Sequence, residues 1–175
     1  MIVKTVFELQ KVLAEARNNS KSIGFVPTMG ALHTGHLRLI QRASEENDLV
    51  VVSIFVNPLQ FNNSADLEKY PRHLDNDLKL LAGVGVDAVW TPNIETIYPE
   101  NFKEITLDLG ILDQIFEGFH RPGHFNGVVQ VLNQLFSAIQ PEAVFFGQKD
   151  LIQLLRDAFL CYDADAVGIL TNPVP

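Results

Sequence analysis

The sequence predicts a doubly wound, Rossmann-like α/β domain, in which a parallel sheet carries helices on both faces. First, short apolar stretches alternate along the chain with segments whose apolar residues recur at helical spacing. Second, the stretch 49–56 is apolar almost throughout, as expected of a strand buried on both faces of a parallel sheet. Third, the chain of 175 residues is 47% hydrophobic and 19% charged, which is typical of a globular protein.

The elements follow in order from these patterns. Thr5 and Glu8 have the spacing of a capping box and predict the start of a first helix. Pro27 cannot donate to a sheet ladder, so the first strand is expected to end before it. Strands are predicted at residues 23–26, 49–56, 86–90, 143–146 and 167–170. Helices are predicted after Thr5, from about residue 35, and at 66–70, 74–81, 127–139 and 151–160, while 91–126 has no regular pattern.

Charge and composition exclude several classes of protein. The net charge of −8 argues against a general nucleic-acid binder, whose surface would be basic. The single Cys161 cannot form an internal disulfide and fits a reducing compartment. The first residues lack the pattern of a signal peptide, and the apolar runs are shorter than the roughly 20 residues that span a bilayer. We therefore expect a soluble, cytoplasmic protein with no membrane or nucleic-acid partner.

The stretch IGFVPTMGALHTGHLRLI, residues 23–40, reads as a strand, a loop and a helix. His33 and His36 fall at the helix entrance, where residues three apart share a face. The unpaired N–H groups of a first helical turn suit a phosphate, and Gly35 allows a ligand to approach the backbone. The alternative is that the two histidines only cap the helix.

Polar side chains also follow two other predicted strands. Asn57 and Gln60 come after the second strand, and Lys149, Asp150 and Gln153 come after the fourth. Because ligands of open parallel sheets bind beyond the carboxyl ends of the strands, these groups are expected to converge. The glutamines suit a hydroxy acid.

The segment Gly147–Gln148–Lys149 places an ammonium group where the backbone can approach a phosphate closely. Asp150 either reaches a Mg²⁺ ion that bridges phosphates or is the N-cap of the next helix.

Two further pairs have metal-ligand spacing. His120 and His124 are four residues apart, but Pro122 and Gly123 between them argue against a helical zinc site. Asp75 and Asp77 could form a metal pair, and the simpler interpretation is that both acids stabilise the start of a helix.

The motif HTGH resembles the HxGH signature of the nucleotidyltransferase superfamily. The longer string PTMGALHTGH resembles the pantoate–β-alanine ligase family. Further strings in the order of that family are SIFVNPLQF, YPRHLDNDL, IYPE, RPGHFNGV and PEAVFFGQKD, and the resemblance covers about residues 20–155.

This resemblance implies an ATP- and Mg²⁺-dependent ligase that joins pantoate to β-alanine through a pantoyl adenylate, and it suggests a homodimer. The implied catalytic residues are His33, His36 and Lys149, with His36 as the proton donor. Gln60 and Gln153 would hold pantoate, and Asn57 would support that pocket. The implied ATP-binding residues are Met29, Gly30, Ala31, Leu32, His33, Thr34, Gly35, His36, Gly147, Gln148, Lys149 and Asp150.

The chain departs from the family pattern after Gln153. Neither the second nucleotide-binding signature of the family nor its C-terminal lid domain is recognisable before Pro175. The sequence therefore predicts a single ATP- and pantoate-binding domain over residues 1–175, with an atypical end from about residue 155 and with the lid domain absent. A nucleotidyltransferase with another acceptor and a non-catalytic nucleotide-binding remnant remain alternatives.

Overall fold

The sheet is parallel, as predicted. A computed structural model describes residues 1–105, 119–147 and, for the backbone alone, 168–172. Its strands are β1 (Ile2–Val3), β2 (Ile23–Thr28), β3 (Leu49–Ile54), β4 (Ala88–Trp90), β5 (Ala143–Gly147) and β6 (Gly168–Asn172). They lie in the order β1-β4-β3-β2-β5-β6, and every neighbouring pair is parallel.

The described helices are α1 (Val6–Asn18), α2 (Thr34–Glu46), α3 (Ser64–Lys69), α4 (Leu74–Leu81), α5 (Ile94–Ile97) and α6 (His124–Ile139), with a 3-10 turn at Pro58–Gln60. The predicted capping box of α1 is present, because the Thr5 side chain accepts from the Glu8 amide and the Glu8 carboxylate accepts from the Thr5 amide. In the described part of the chain, no helix combines the length and apolar character needed to cross a membrane. The helix predicted at 151–160 lies outside the described residues.

Helices cover both faces of the sheet, which confirms the doubly wound architecture. On one face, Leu13 of α1 and Phe136 of α6 pack on strand residues such as Phe25. On the other face, Ile40 of α2 and Leu81 of α4 pack on the alternate strand residues Val26, Val50, Val52, Val89 and Phe145. This alternation is the two-residue period of side chains along a strand.

The prediction that the first strand ends before Pro27 was wrong. Pro27 pairs with Ser53 in register, and β2 continues to Thr28. The carbonyls of Ser22 and Thr28 accept hydrogen bonds from backbone amides on the β3 side of the strand. The carbonyl of Ile23 accepts one from an amide on the β5 side. Since each residue of a parallel strand presents its N–H and C=O to one side, Pro27 faces β5. The pairing of β2 with β5 has ended at Phe25, so no ladder bond is lost there.

Other differences lie at boundaries and in short elements. The strand predicted at 49–56 ends at Ile54, the third strand covers only Ala88–Trp90, and α6 begins at His124, before the predicted residue 127. The backbone of Gly123 has φ 81, which places the helix start there. The edge strand β1 and the single turn of α5 were not predicted, because neither is long enough to show a periodicity.

The chain order creates a crevice at the carboxyl end of β2. From β2 the chain moves to β3 and β4 on one side, and β5 and β6 lie on the other side. The helices α2 and α6 pack on opposite faces of the sheet. Such a switch point is where open α/β sheets bind ligands. The β2–α2 loop, residues 29–33, leaves the sheet at this position.

Candidate active site

The β2–α2 loop has a constrained backbone. Gly30 and Ala31 both have positive φ, 81° and 51°, and the second value is uncommon for a residue with a side chain. The Thr28 hydroxyl accepts from the Gly30 amide at 3.2 Å and donates to the Ser53 carbonyl at 2.7 Å. The start of the loop is thereby tied to the end of β3.

The two histidines of the HTGH motif lie against each other at the start of α2. Their ring centroids are 4.2 Å apart, with the planes inclined by 50°. Nδ1 of His33 accepts from the Gly35 amide at 3.1 Å, and Nδ1 of His36 accepts from the His33 amide at 3.4 Å. Both rings therefore cap the helix, as the simpler alternative expected.

Capping also determines which nitrogen of each ring carries the proton. A nitrogen that accepts from a backbone N–H is unprotonated, so the neutral rings of His33 and His36 carry their proton on Nε2. Both Nε2 atoms are then hydrogen-bond donors, and both lie near the positive end of the α2 dipole. The capping role thus prepares the kind of donor that a phosphate needs.

Asn57 is the buried centre of the segment that follows β3. Its side chain is 1% exposed, and its amide donates to the Gln60 Oε1 at 3.0 Å and to the Gly127 carbonyl at 2.9 Å. Its Oδ1 accepts from the Leu59 amide at 3.2 Å and from the Tyr98 hydroxyl at 2.8 Å. All four hydrogen-bonding positions of the Asn57 side chain are used.

This network orients the Gln60 side chain. Since the Gln60 oxygen is held by Asn57, its amide nitrogen points the other way and lies 3.1 Å from the sulfur of Met29. Met29 belongs to the β2–α2 loop. The structure therefore brings the predicted nucleotide loop and the predicted substrate glutamine into contact.

The start of α6 packs against the 3-10 turn that carries Gln60. A Cβ at Gly127 would lie 2.2 Å from the Leu59 carbonyl oxygen, so only glycine allows α6 to pack this closely on the 3-10 turn. Nδ1 of His124 lies 2.8 Å from the Gln60 carbonyl. A carbonyl only accepts, so His124 carries its proton on Nδ1 and its neutral ring has an acceptor at Nε2.

Sequence reasoning missed this position of His124. The string RPGHFNGV contributes to the family resemblance. For His124 itself, the sequence suggests only a zinc pair with His120, which Pro122 and Gly123 make unfavourable. Among the described residues, no three His, Cys, Asp or Glu side chains are grouped to hold a metal ion.

An open cavity of about 400 Å³ lies between these elements. Met29, Gln60 and His124 line it, together with Lys69 at the end of α3 and Tyr70 directly after that helix. The remaining lining residues are Phe61, Asp66, Pro71 and Arg121. Two cationic side chains against one acidic group, together with amide and imidazole groups, suit a small anionic ligand with polar substituents.

Burial shifts the titration of two phenols near the cavity. It raises the pKa of Tyr70, and the negative charge of Asp77 raises that pKa further. Burial also raises the pKa of Tyr98.

Asp77 is a further residue of the site that sequence reasoning did not place there. Its side chain is 1% exposed, and its carboxylate accepts from the amides of Ala31 and Leu32. Asp75 of the same helix turn is exposed. Both acids lie in the first turn of α4, as predicted, and Asp77 in addition binds the β2–α2 loop. Among the described residues, they belong to no group of three or more side chains that could hold a metal ion.

The described part of the predicted site converges at one edge of the sheet. His33, His36 and Met29 follow β2, Asn57 and Gln60 follow β3, and the two groups meet at the Met29–Gln60 contact. Gly147 ends β5, the other neighbour of β2. Gln148, Lys149, Asp150 and Gln153 lie outside the described residues, so their roles stay predictions.

The parallel sheet, its switch point and the crevice beside the HTGH motif define a Rossmann-like α/β domain. The family model of pantoate-beta-alanine ligase matches residues 1–163. The chain therefore belongs to the pantoate–β-alanine ligase family.

Individual relatives agree with this assignment. A pantothenate synthetase of Staphylococcus haemolyticus is 49% identical over 153 residues, which are 87% of this chain and 54% of the relative. The crystal structure of pantothenate synthetase from Thermus thermophilus matches with a TM-score of 0.87 and 43% identity, over 99% of this chain and 62% of that one.

A ligase from Francisella tularensis, complexed with beta-gamma ATP and beta-alanine, matches with a TM-score of 0.90 and 38% identity, over 100% of this chain and 67% of that one. The chain spans about half the length of the curated relatives that it matches.

Proposed function

We propose that this chain is the ATP- and pantoate-binding domain of a pantoate–β-alanine ligase. In the proposed reaction the pantoate carboxylate attacks the α-phosphorus of ATP, and pyrophosphate leaves. The amine of β-alanine then attacks the acyl carbon of pantoyl adenylate, and AMP leaves with formation of pantothenate. The observation that carries the proposal is the contact between Met29 of the β2–α2 loop and Gln60 beside the cavity.

His33 and His36 are proposed to bind the ATP phosphates through their Nε2 protons. Their Nδ1 atoms accept from backbone amides, so the donor positions are fixed before the ligand arrives. Negative charge builds on the phosphate oxygens as the pantoate oxygen approaches, and preorganised donors stabilise that charge. Lys149 is proposed to add an ammonium group from the carboxyl end of β5. His36 would serve as the proton donor.

Gln60 is proposed to hold pantoate, with Gln153 as the second amide. The Gln60 nitrogen is directed towards Met29 and the cavity because its oxygen is bound by Asn57. A fixed amide donor can bind a hydroxyl or carboxylate oxygen of a hydroxy acid. This arrangement would hold the attacking carboxylate near the β2–α2 loop, and such positioning contributes a large part of the rate of a two-substrate reaction.

Mg²⁺ is proposed to accompany ATP. Such an ion is commonly held by phosphate oxygens and one or two carboxylates, and Asp150 is the candidate carboxylate. A cytoplasmic location and a homodimeric assembly are also proposed, on the basis of the family resemblance.

The test combines ligand titration with substitutions that separate capping from ligand binding. His33→Asn keeps a good N-cap residue, and His36→Gln keeps a side chain that completes a capping box. Calorimetry with ATP and Mg²⁺ should show an affinity about 10- to 100-fold lower in each variant, as expected for one hydrogen bond to a charged ligand. His73→Asn is the matched control, since His73 precedes α4 and makes no side-chain capping bond.

Titration with pantoate and a panel of other hydroxy acids, followed by pyrophosphate exchange into ATP, separates the alternatives. Tighter binding of a different acid would favour a nucleotidyltransferase with another acceptor. Binding of ATP and pantoate without any exchange would favour a non-catalytic binding domain. Absence of ATP binding by the unmodified chain would overturn the proposal.

A further inference from the structure

Asp77 joins α4 to the β2–α2 loop through two charge-assisted hydrogen bonds. Its Oδ2 accepts from the Ala31 amide at 3.0 Å, and its Oδ1 accepts from the Leu32 amide at 2.8 Å. Both oxygens of one carboxylate are thus used on consecutive amides. The side chain is 1% exposed, so water does not compete for these bonds.

The backbone at this point needs an external support. Ala31 has φ 51°, a conformation that costs free energy in a residue with a Cβ atom and persists only where its surroundings impose it. Successive N–H groups that point in one direction form a natural anion site, and here the chain supplies the anion itself. A Cβ at Gly30 would lie 3.0 Å from the Asp77 carboxylate, which shows how closely the loop is held.

The supported loop leads directly to the histidine pair. Leu32 precedes His33, whose ring is bound to the Gly35 amide, so the position of the Leu32 amide fixes the start of α2. The charge of Asp77 also acts on Tyr70 in the cavity wall. Asp77 is thus joined to the loop of the proposed nucleotide site by hydrogen bonds, and its charge acts on one residue of the cavity wall.

We propose that Asp77 is a positioning residue, whose carboxylate holds the β2–α2 loop so that the His33 and His36 donors face the nucleotide phosphates. This inference rests on the proposed function, because it assigns ATP to the loop. Asp77 itself touches no ligand in this proposal.

The test uses Asp77→Asn, which has the same shape but replaces one accepting oxygen by a donor. Amide hydrogen exchange measured by NMR should show the protection of Ala31 and Leu32 reduced about 10- to 100-fold, whereas Leu39 and Ile40 within α2 stay protected. Calorimetry should show a comparable loss of ATP affinity with pantoate affinity unchanged. Asp75→Asn, an exposed acid on the same helix, should match the unmodified chain in both measurements.

The outcomes distinguish this inference from the function on which it rests. Unchanged exchange at residues 31 and 32, or lost protection with unchanged ATP affinity, would overturn the positioning role. Equal losses for ATP and pantoate would indicate a general structural role and would also overturn it. Failure of the unmodified chain to bind ATP would overturn both proposals, although the exchange measurement would still decide whether Asp77 holds the loop.

If Asp77→Asn does not fold, the same measurements apply to Asp77→Glu. That variant keeps the charge but moves the carboxylate by one methylene group, and it should lose part of the protection and part of the ATP affinity. Full retention of both would contradict a role that depends on position.

Discussion

Replacing Asn57 by alanine removes the four hydrogen bonds that organise the segment after β3. The groups left behind are the Leu59 amide, the Gly127 carbonyl, the Tyr98 hydroxyl and the Gln60 side-chain oxygen. Each buried polar group without a partner costs about 1–3 kcal/mol. Because the four belong to one network the costs do not add fully, and we expect a total of about 3–5 kcal/mol.

The assay is thermal and urea unfolding followed by circular dichroism. For a chain of this size, a loss of about 3–5 kcal/mol lowers the midpoint temperature by roughly 6–20 °C. Asn76→Ala is the control, because Asn76 is an exposed residue of α4 and its replacement should change stability by less than about 0.5 kcal/mol. An Asn57→Ala variant within about 1 kcal/mol of the unmodified chain would show that the four bonds do not act as an organising network, since that loss corresponds to a single ordinary hydrogen bond.

Gly127→Ala should destabilise the chain by at least about 1–3 kcal/mol in urea unfolding, because its Cβ would meet the Leu59 carbonyl. Gly83→Ala is the control and should not destabilise the chain, because a Cβ there meets no atom within 4 Å. Equal stabilities of the two variants would contradict the close packing of α6. Thr5→Ala should cost about 1 kcal/mol in the same assay through loss of the α1 cap, and an unchanged midpoint would show that the cap does not contribute. Stability should also fall above about pH 10. Burial raises the pKa of Tyr98 in the folded chain. Below the ordinary tyrosine pKa the phenol is protonated in both the folded and the unfolded chain, whereas above it the phenol ionises only in the unfolded chain, which favours unfolding. Urea midpoints between pH 8 and 11 should fall less for Tyr98→Phe, and an identical fall would contradict this assignment.

The features that the sequence predicts well are those that depend on residues close together in the chain. The α1 capping box depends on two residues three apart, and the position of His33 and His36 depends on one strand, one loop and one helix start. The alternation of apolar strands with amphipathic helices was sufficient to predict a parallel sheet with both faces covered.

The features that were missed depend on contacts between distant residues. Asp75 and Asp77 look alike in sequence, yet only Asp77 reaches the Ala31 amide, 46 positions away. Pro27 fits inside a strand because its missing N–H faces a side where pairing has ended, which no local pattern reveals. The two residues of β1 form a strand only through their pairing with β4.

In the proposed function, ATP and pantoate occupy adjoining places at the carboxyl edge of this sheet. The most direct measurement is NMR mapping of backbone amide shifts during titration with each ligand. We predict that ATP with Mg²⁺ shifts residues 29–36, that pantoate shifts residues 57–61 and 124–127, and that each ligand still binds when the other is present. Shifts confined to the exposed face of α2 around Arg38–Glu46, or mutually exclusive binding of the two ligands, would contradict this arrangement.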